Sequence, residues 1–124
     1  MRDFASEQTI DLVTYRKDGR AVSTPVWCVG VNGSLYAFSN GRAGKVKRLR
    51  NGSRARLAPC TNSGKPTGDY IDARALLVAD SAEREAALAA FAPKYGLLFR
   101  LLSLFGRISG RRRNWAVIRI EIPA

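Results

Sequence analysis

The sequence predicts a small antiparallel β-barrel of six strands with helices attached. Three observations carry this expectation: short alternating apolar runs joined by tight-turn signals, a proline inside one of those runs, and helical patterning confined mainly to the stretch before the final run. Its 124 residues, 46% of them hydrophobic, suit a single domain over residues 1–124.

The first strand is predicted over Thr9 to Tyr15, where Ile10 and Leu12 alternate with Asp11 and Val13. Lys17-Asp18-Gly19-Arg20 then marks a hairpin, because glycine adopts positive φ without steric cost. The second strand is predicted from Ala21 to Val29. It holds Pro25, which cannot donate to a central ladder and so implies an edge, a bulge, or backbone left open to a ligand. Asn32-Gly33 turns the chain into a third strand, Leu35 to Ser39. Lys45 to Arg50 reads as a short helix with Val46 and Leu49 on its inner side, closed by Asn51-Gly52.

Strand four is predicted over Arg54 to Cys60 and strand five from about Tyr70 to Val78, with the polar loop Thr61 to Pro66 following strand four. Asp80-Ser81-Ala82-Glu83 has the form of a capping box and opens an alanine-rich helix to about Phe91. Pro93 suits the first turn of a further helix reaching Phe105, apolar on most faces. Asn114 to Ile122 alternates again and makes the sixth strand. Hairpin connections and closure into a barrel account for strands that would otherwise leave exposed edges.

Charge narrows the partners. Between Asp18 and Asp69 there is no acidic residue, while nine Lys and Arg side chains are interleaved with apolar positions that a folded domain must bury. With a net charge of +11, the chain is expected to meet an anion on a structured surface: nucleic acid, an acidic membrane, or a phosphorylated or carboxylated ligand. There is no histidine, which removes histidine-based metal sites, catalytic triads and the usual neutral-pH proton shuttle. No metal site is expected. Cys28 and Cys60 lie in apolar runs with no C-x-x-C spacing and read as buried thiols. The longest apolar run, Tyr95 to Ile108, is broken by Arg100 and Arg107 and is too short for a transmembrane segment. The polar start lacks the apolar stretch of a signal peptide, giving the expectation of a cytoplasmic protein.

The series Thr14-Tyr15-Arg16-Lys17-Asp18-Gly19-Arg20, Ser23-Thr24-Pro25-Val26-Trp27, Leu35-Tyr36-Ala37-Phe38-Ser39 and Gly44-Lys45-Val46-Lys47-Arg48-Leu49-Arg50-Asn51 resembles the pyridoxamine 5′-phosphate oxidase-like superfamily. More closely, it is similar to the actinobacterial deazaflavin-dependent oxidoreductases that use coenzyme F420 in place of a flavin. Ala58-Pro59-Cys60, Lys94-Tyr95-Gly96 and the closing strand after Arg111-Arg112-Arg113 extend the resemblance over nearly the whole chain.

That resemblance implies a six-stranded antiparallel split β-barrel of the FMN-binding type, forming a homodimer with two cofactor sites between the subunits. It implies that Ser39, Lys45, Lys47 and Arg48 hold the cofactor phosphate. The ring would lie near Pro25, Val26 and Trp27, with Pro59, Cys60 and Thr61 beside it, and Lys94, Tyr95 and Trp115 are candidate contributions of a second subunit. Arg50, Arg54, Arg56 or the Arg111 to Arg113 cluster could meet the glutamate tail of F420.

The implied reaction is hydride transfer between reduced deazaflavin and an unsaturated organic substrate, with Tyr36, Tyr70 or solvent returning the proton. Two alternatives stay open: an FMN-binding or haem-binding relative, and a basic nucleic-acid-binding barrel that would stack bases on Trp27, Tyr36 and Phe38.

Overall fold

Seven strands form one antiparallel sheet in the computed structural model, which describes residues 4–40, 47–49, 52–109 and 115–123. They are β1 (Ile10–Tyr15), β2 (Ala21–Val26), β3 (Val29–Val31), β4 (Ser34–Asn40), β5 (Arg54–Pro59), β6 (Ile71–Leu77) and β7 (Trp115–Glu121). Helices α1 (Ser81–Tyr95) and α2 (Leu97–Ser109) connect β6 to β7, and a 3-10 turn, Phe4–Ser6, precedes β1. Residues 47–49 are helical.

The strand order is β2-β1-β5-β6-β7-β4-β3, so β2 and β3 are the opposite edges of the sheet. Yet only Trp27 and Cys28 separate them in the chain. Three backbone steps span at most roughly 11 Å, so the two edges are held together and the sheet must curl into a half-barrel with a seam at Trp27-Cys28. This is where seven strands replace the predicted six. The apolar run from Ala21 to Val29 gives no local sign that its first six residues pair with β1 while its last joins β4.

Inside the curl pack Ile10 and Leu12 of β1, Leu57 of β5, Ala75 of β6 and Ile118 and Ile120 of β7, closed by Phe4 and by Leu49 of the helical turn. A second core lies outside the sheet, where Ala87, Leu88 and Phe91 of α1 and Phe99 of α2 cover Val29, Tyr36 and Val117. β1 is buried on both faces, Asp11 and Val13 included, and not on the one face that its alternation suggests.

Asp80 caps α1 by accepting from the Glu83 backbone N–H at 2.8 Å, as the capping box predicts. The helix, however, runs through Pro93 to Tyr95. The break falls at Gly96, whose φ of +65° ends α1 while its N–H still reaches the Ala92 carbonyl at 2.8 Å. Pro93 has no N–H to offer the carbonyl four residues back, yet the helix continues past it for two further residues.

Candidate functional site

Two features mark the β2-β1-β5 region, one basic and one apolar. At the Tyr15 end of β1 a cleft of about 450 Å³ is lined by Tyr15, Arg16, Lys17, Gly19, Arg48, Gly52 and Arg54. Four of these carry positive charge and none is acidic. The Arg54 guanidinium lies 4.0 Å from the centre of the Tyr15 ring, and the Arg48 Nε donates to the Thr14 hydroxyl at 2.6 Å. Burial, and then the charge of Arg16, hold the Arg48 guanidinium below its ordinary range. Crowded cations of this kind are a ready site for phosphate or carboxylate oxygens. Asp18 does not neutralise the cleft, because it is bound to Arg20 at 2.8 Å.

At the other end of β1, five residues and about 17 Å away along the strand, lies the apolar feature. Pro25, Val26, Trp27, Phe38 and Leu102 line a concavity of about 210 Å³. The register joins this wall to β5: Val26 and Pro59 both pair with Ile10, while Pro25 and Ala58 both pair with Asp11. Cys60 continues from Pro59, and Thr61 opens a turn in which its hydroxyl accepts from the Lys65 N–H at 3.1 Å. Gly64 of that turn lies beside Pro25, where a Cβ would make ordinary contact with the proline ring at 3.6 Å. Pro25, Val26, Pro59, Cys60 and Thr61 are therefore brought together around β1.

Beneath this patch Asp11 is 1% exposed. Its Oδ2 accepts from the Tyr70 hydroxyl at 2.5 Å, and its Oδ1 has no partner among the described residues. The hydrogen bond to Asp11, followed by burial, pushes the Tyr70 phenol up from its ordinary value, so Tyr70 keeps its proton at neutral pH. The alternation pattern places Asp11 with solvent-facing residues, and only the long-range pairing with Tyr70 reveals otherwise. Both cysteines are free and buried, as their apolar surroundings predict. Burial drives the Cys28 thiol up to about 11 and raises that of Cys60.

The remaining predicted residues divide by location. Ser39 sits on β4 opposite Ala116, and Lys47 is exposed on the helical turn; neither lines the basic cleft. Lys45, Arg50 and Arg111 to Arg113 lie outside the described residues. Trp27 stacks on Tyr95 of the same chain at 4.3 Å, and the Tyr95 hydroxyl accepts from the Cys28 N–H and donates to the Gln8 carbonyl. The Lys94 ammonium donates to the carbonyls of Ala5, Glu7 and Cys28. Trp115 stacks on Phe38 at 4.8 Å.

Phe38 itself is packed among Phe91, Phe99 and Trp115, and Tyr36 is only 6% exposed, with its hydroxyl on Glu83. These rings build the second core and do not form an open stacking platform. Arg16 and Lys17 line the cleft although the charge pattern does not single them out, because they stand just before Asp18, outside the acid-free stretch.

No protein-family model and no curated protein sequence matches the chain. Solved structures do share its fold. It is similar to HutZ, the haem storage protein from Vibrio cholerae, at 14% identity and a TM-score of 0.72 over 96% of this chain and 84% of that one. It is similar to a FAD-binding protein from Mesorhizobium loti at 18% identity and a TM-score of 0.64, covering 97% of this chain and 84% of the other. A putative pyridoxamine 5′-phosphate oxidase from Listeria innocua aligns at 14% identity with a TM-score of 0.61, over 95% and 86% of the two chains. At these identities the likeness is one of fold, a curled antiparallel half-barrel with helices.

Proposed function

We propose that this chain is an F420-dependent oxidoreductase that transfers a hydride between the reduced deazaflavin and an unsaturated organic substrate. The observation that carries the reading is the basic cleft, where Arg16, Lys17, Arg48 and Arg54 converge with no carboxylate among the lining residues. F420 bears a phosphodiester and several glutamates, and the donor set fits such a polyanion. Each charge-assisted hydrogen bond contributes roughly 1.5–3 kcal/mol.

The apolar wall of Pro25, Val26, Trp27 and Phe38 suits the edge of a flat ring. In this reading a second copy of the chain completes the shallow ring site, and the protein acts as a homodimer. Bound deazaflavin supplies a two-electron hydride carrier. The protein's part is to orient that ring, to keep water from its apolar edge with Trp27 and Phe38, and to hold a proton at the Tyr70 Oη. Both hydroxyls already donate to a carboxylate at 2.5 Å, Tyr70 to Asp11 and Tyr36 to Glu83, and Tyr36 is the weaker proton donor because its ring is buried in the second core.

FMN is the second reading. It is supported by the fold shared with proteins described as FAD-binding and as a pyridoxamine 5′-phosphate oxidase, and one phosphate would fit the same cleft. A haem reading, suggested by the likeness to HutZ, must do without a histidine ligand.

Titration of the protein with F420 and with FMN, followed by quenching of cofactor fluorescence, tests the proposal. F420 is expected to bind more tightly, and Arg48→Ala with Arg54→Ala to weaken it by at least about tenfold. Tighter binding of FMN would move the protein to the flavin reading, and binding of neither would overturn both.

A further inference from the structure

α2 carries seven large apolar side chains exposed to solvent, from Leu97 at 71% to Ile108 at 74%. Leu97, Leu101, Leu104, Phe105 and Ile108 recur at i, i+4, i+7, i+8 and i+11, which places them in one stripe along a helix roughly 20 Å long. The opposite side is spoken for, since Phe99 and Gly106 are buried against the body. Leu102 turns toward the Trp27 concavity. A water-facing stripe of this length on a 13-residue helix requires a covering.

Charge decides which covering the stripe fits. Between positions 97 and 114 the chain has five arginines, Arg100, Arg107, Arg111, Arg112 and Arg113, and no acidic residue. Glu85 lines the groove between the helices beside Arg100, but it is bound to Arg84 at 2.9 Å. A symmetric pairing of α2 with its copy would bring together two helices that each carry Arg100 and no acidic residue. A lipid surface carrying negative headgroups resolves both problems at once, by taking up the apolar stripe and pairing with the arginines.

We propose that α2 is an interfacial anchor that lays its Leu97–Ile108 stripe into an anionic lipid surface. The helix lies in the plane of the interface; none of the described helices is long and apolar enough to cross a membrane. The inference does not depend on which cofactor the barrel holds.

Flotation of the full-length protein with vesicles of phosphatidylcholine, alone or mixed with phosphatidylglycerol, tests it. The protein is expected to float with the mixed vesicles, and less so as salt is raised. Leu104→Glu with Phe105→Glu should abolish flotation while leaving the far-ultraviolet circular dichroism unchanged, because both positions are exposed. Arg100→Gln should lower the partition constant about fivefold.

Flotation with neither vesicle would overturn the proposal. So would equal flotation with both, or a wild-type dimer that the Leu104→Glu/Phe105→Glu variant converts to monomer without any vesicle binding.

Discussion

Arg16 and Arg48 show how one residue's environment can report a missing partner. Arg48 is anchored by Thr14 and pressed by the charge of Arg16, and no acid lines their cleft. Such crowding costs stability in the free protein and is relieved when an anion enters. Arg16→Gln is therefore expected to leave the melting temperature of the free protein unchanged or slightly raised. The same variant should shrink the rise in melting temperature produced by pyrophosphate, since binding stabilises in proportion to affinity. A thermal melt with and without pyrophosphate checks this, and an undiminished rise would remove Arg16 from the site.

The acid-free stretch makes a basic surface legible in the sequence, but not its place. Arg16 and Lys17 lie before Asp18, and only the hairpin between β1 and β2 brings them to Arg48 and Arg54. Asp11 shows a related limit: a period of two identifies the faces of a strand but not whether a distant Tyr70 covers one of them.

At the scale of elements, α1 is docked by a polar clamp as well as by its apolar face. The Glu83 carboxylate accepts from the Tyr36 hydroxyl of β4 at 2.5 Å and from Arg119 Nη1 of β7 at 2.9 Å. Those partners, Tyr36 first and then Arg119, hold the Glu83 carboxyl below its ordinary value of 4.5. A lowered folded-state pKa means that the folded protein favours the ionised form. The clamp's contribution is then complete above the ordinary value and is lost as pH falls through the lowered one. Glu83→Gln is expected to be less stable than wild type at pH 7, with the difference closing below about pH 4 as the wild-type carboxyl takes up its proton. Urea unfolding of both proteins at pH 7 and pH 3 measures it, and an equal gap at the two values would show that the clamp's charge is immaterial.

Which elements form was largely readable, whereas where they break was not. The capping box at Asp80 is local chemistry and was seen, but the boundary between α1 and α2 was assigned to Pro93. The chain turns instead at Gly96, because a glycine adopts φ +65° without the steric cost that a side chain would add there.

Across the whole molecule, the edge strands β2 and β3 do not pair with each other across the seam at Trp27-Cys28. Lys94 secures it from α1. Its ammonium donates to the carbonyls of Ala5 at 2.8 Å, Glu7 at 2.5 Å and Cys28 at 2.6 Å, so one group ties the segment before β1, the seam and the helix into a single unit. Tyr95 adds bonds to Gln8 and Cys28 from the next position. Removing the ammonium takes one donor from each of three carbonyls in a half-buried place, the Cys28 carbonyl keeping the Tyr95 hydroxyl at 3.0 Å. Lys94→Met keeps the apolar stem and deletes the charge, and it is expected to cost about 3 kcal/mol or more, since hydrogen bonds to charged groups contribute roughly 1.5–3 kcal/mol each and are not additive. Lys94→Arg should fail to restore that loss, because a planar guanidinium cannot direct three bonds from one point. Amide exchange should accelerate at Cys28 and Val29 in both variants before it changes in β5 or β6, which are paired on both sides. If Lys94→Met unfolds within about 1 kcal/mol of wild type, the seam is held by Trp27 stacking on Tyr95 and by the aromatic core alone.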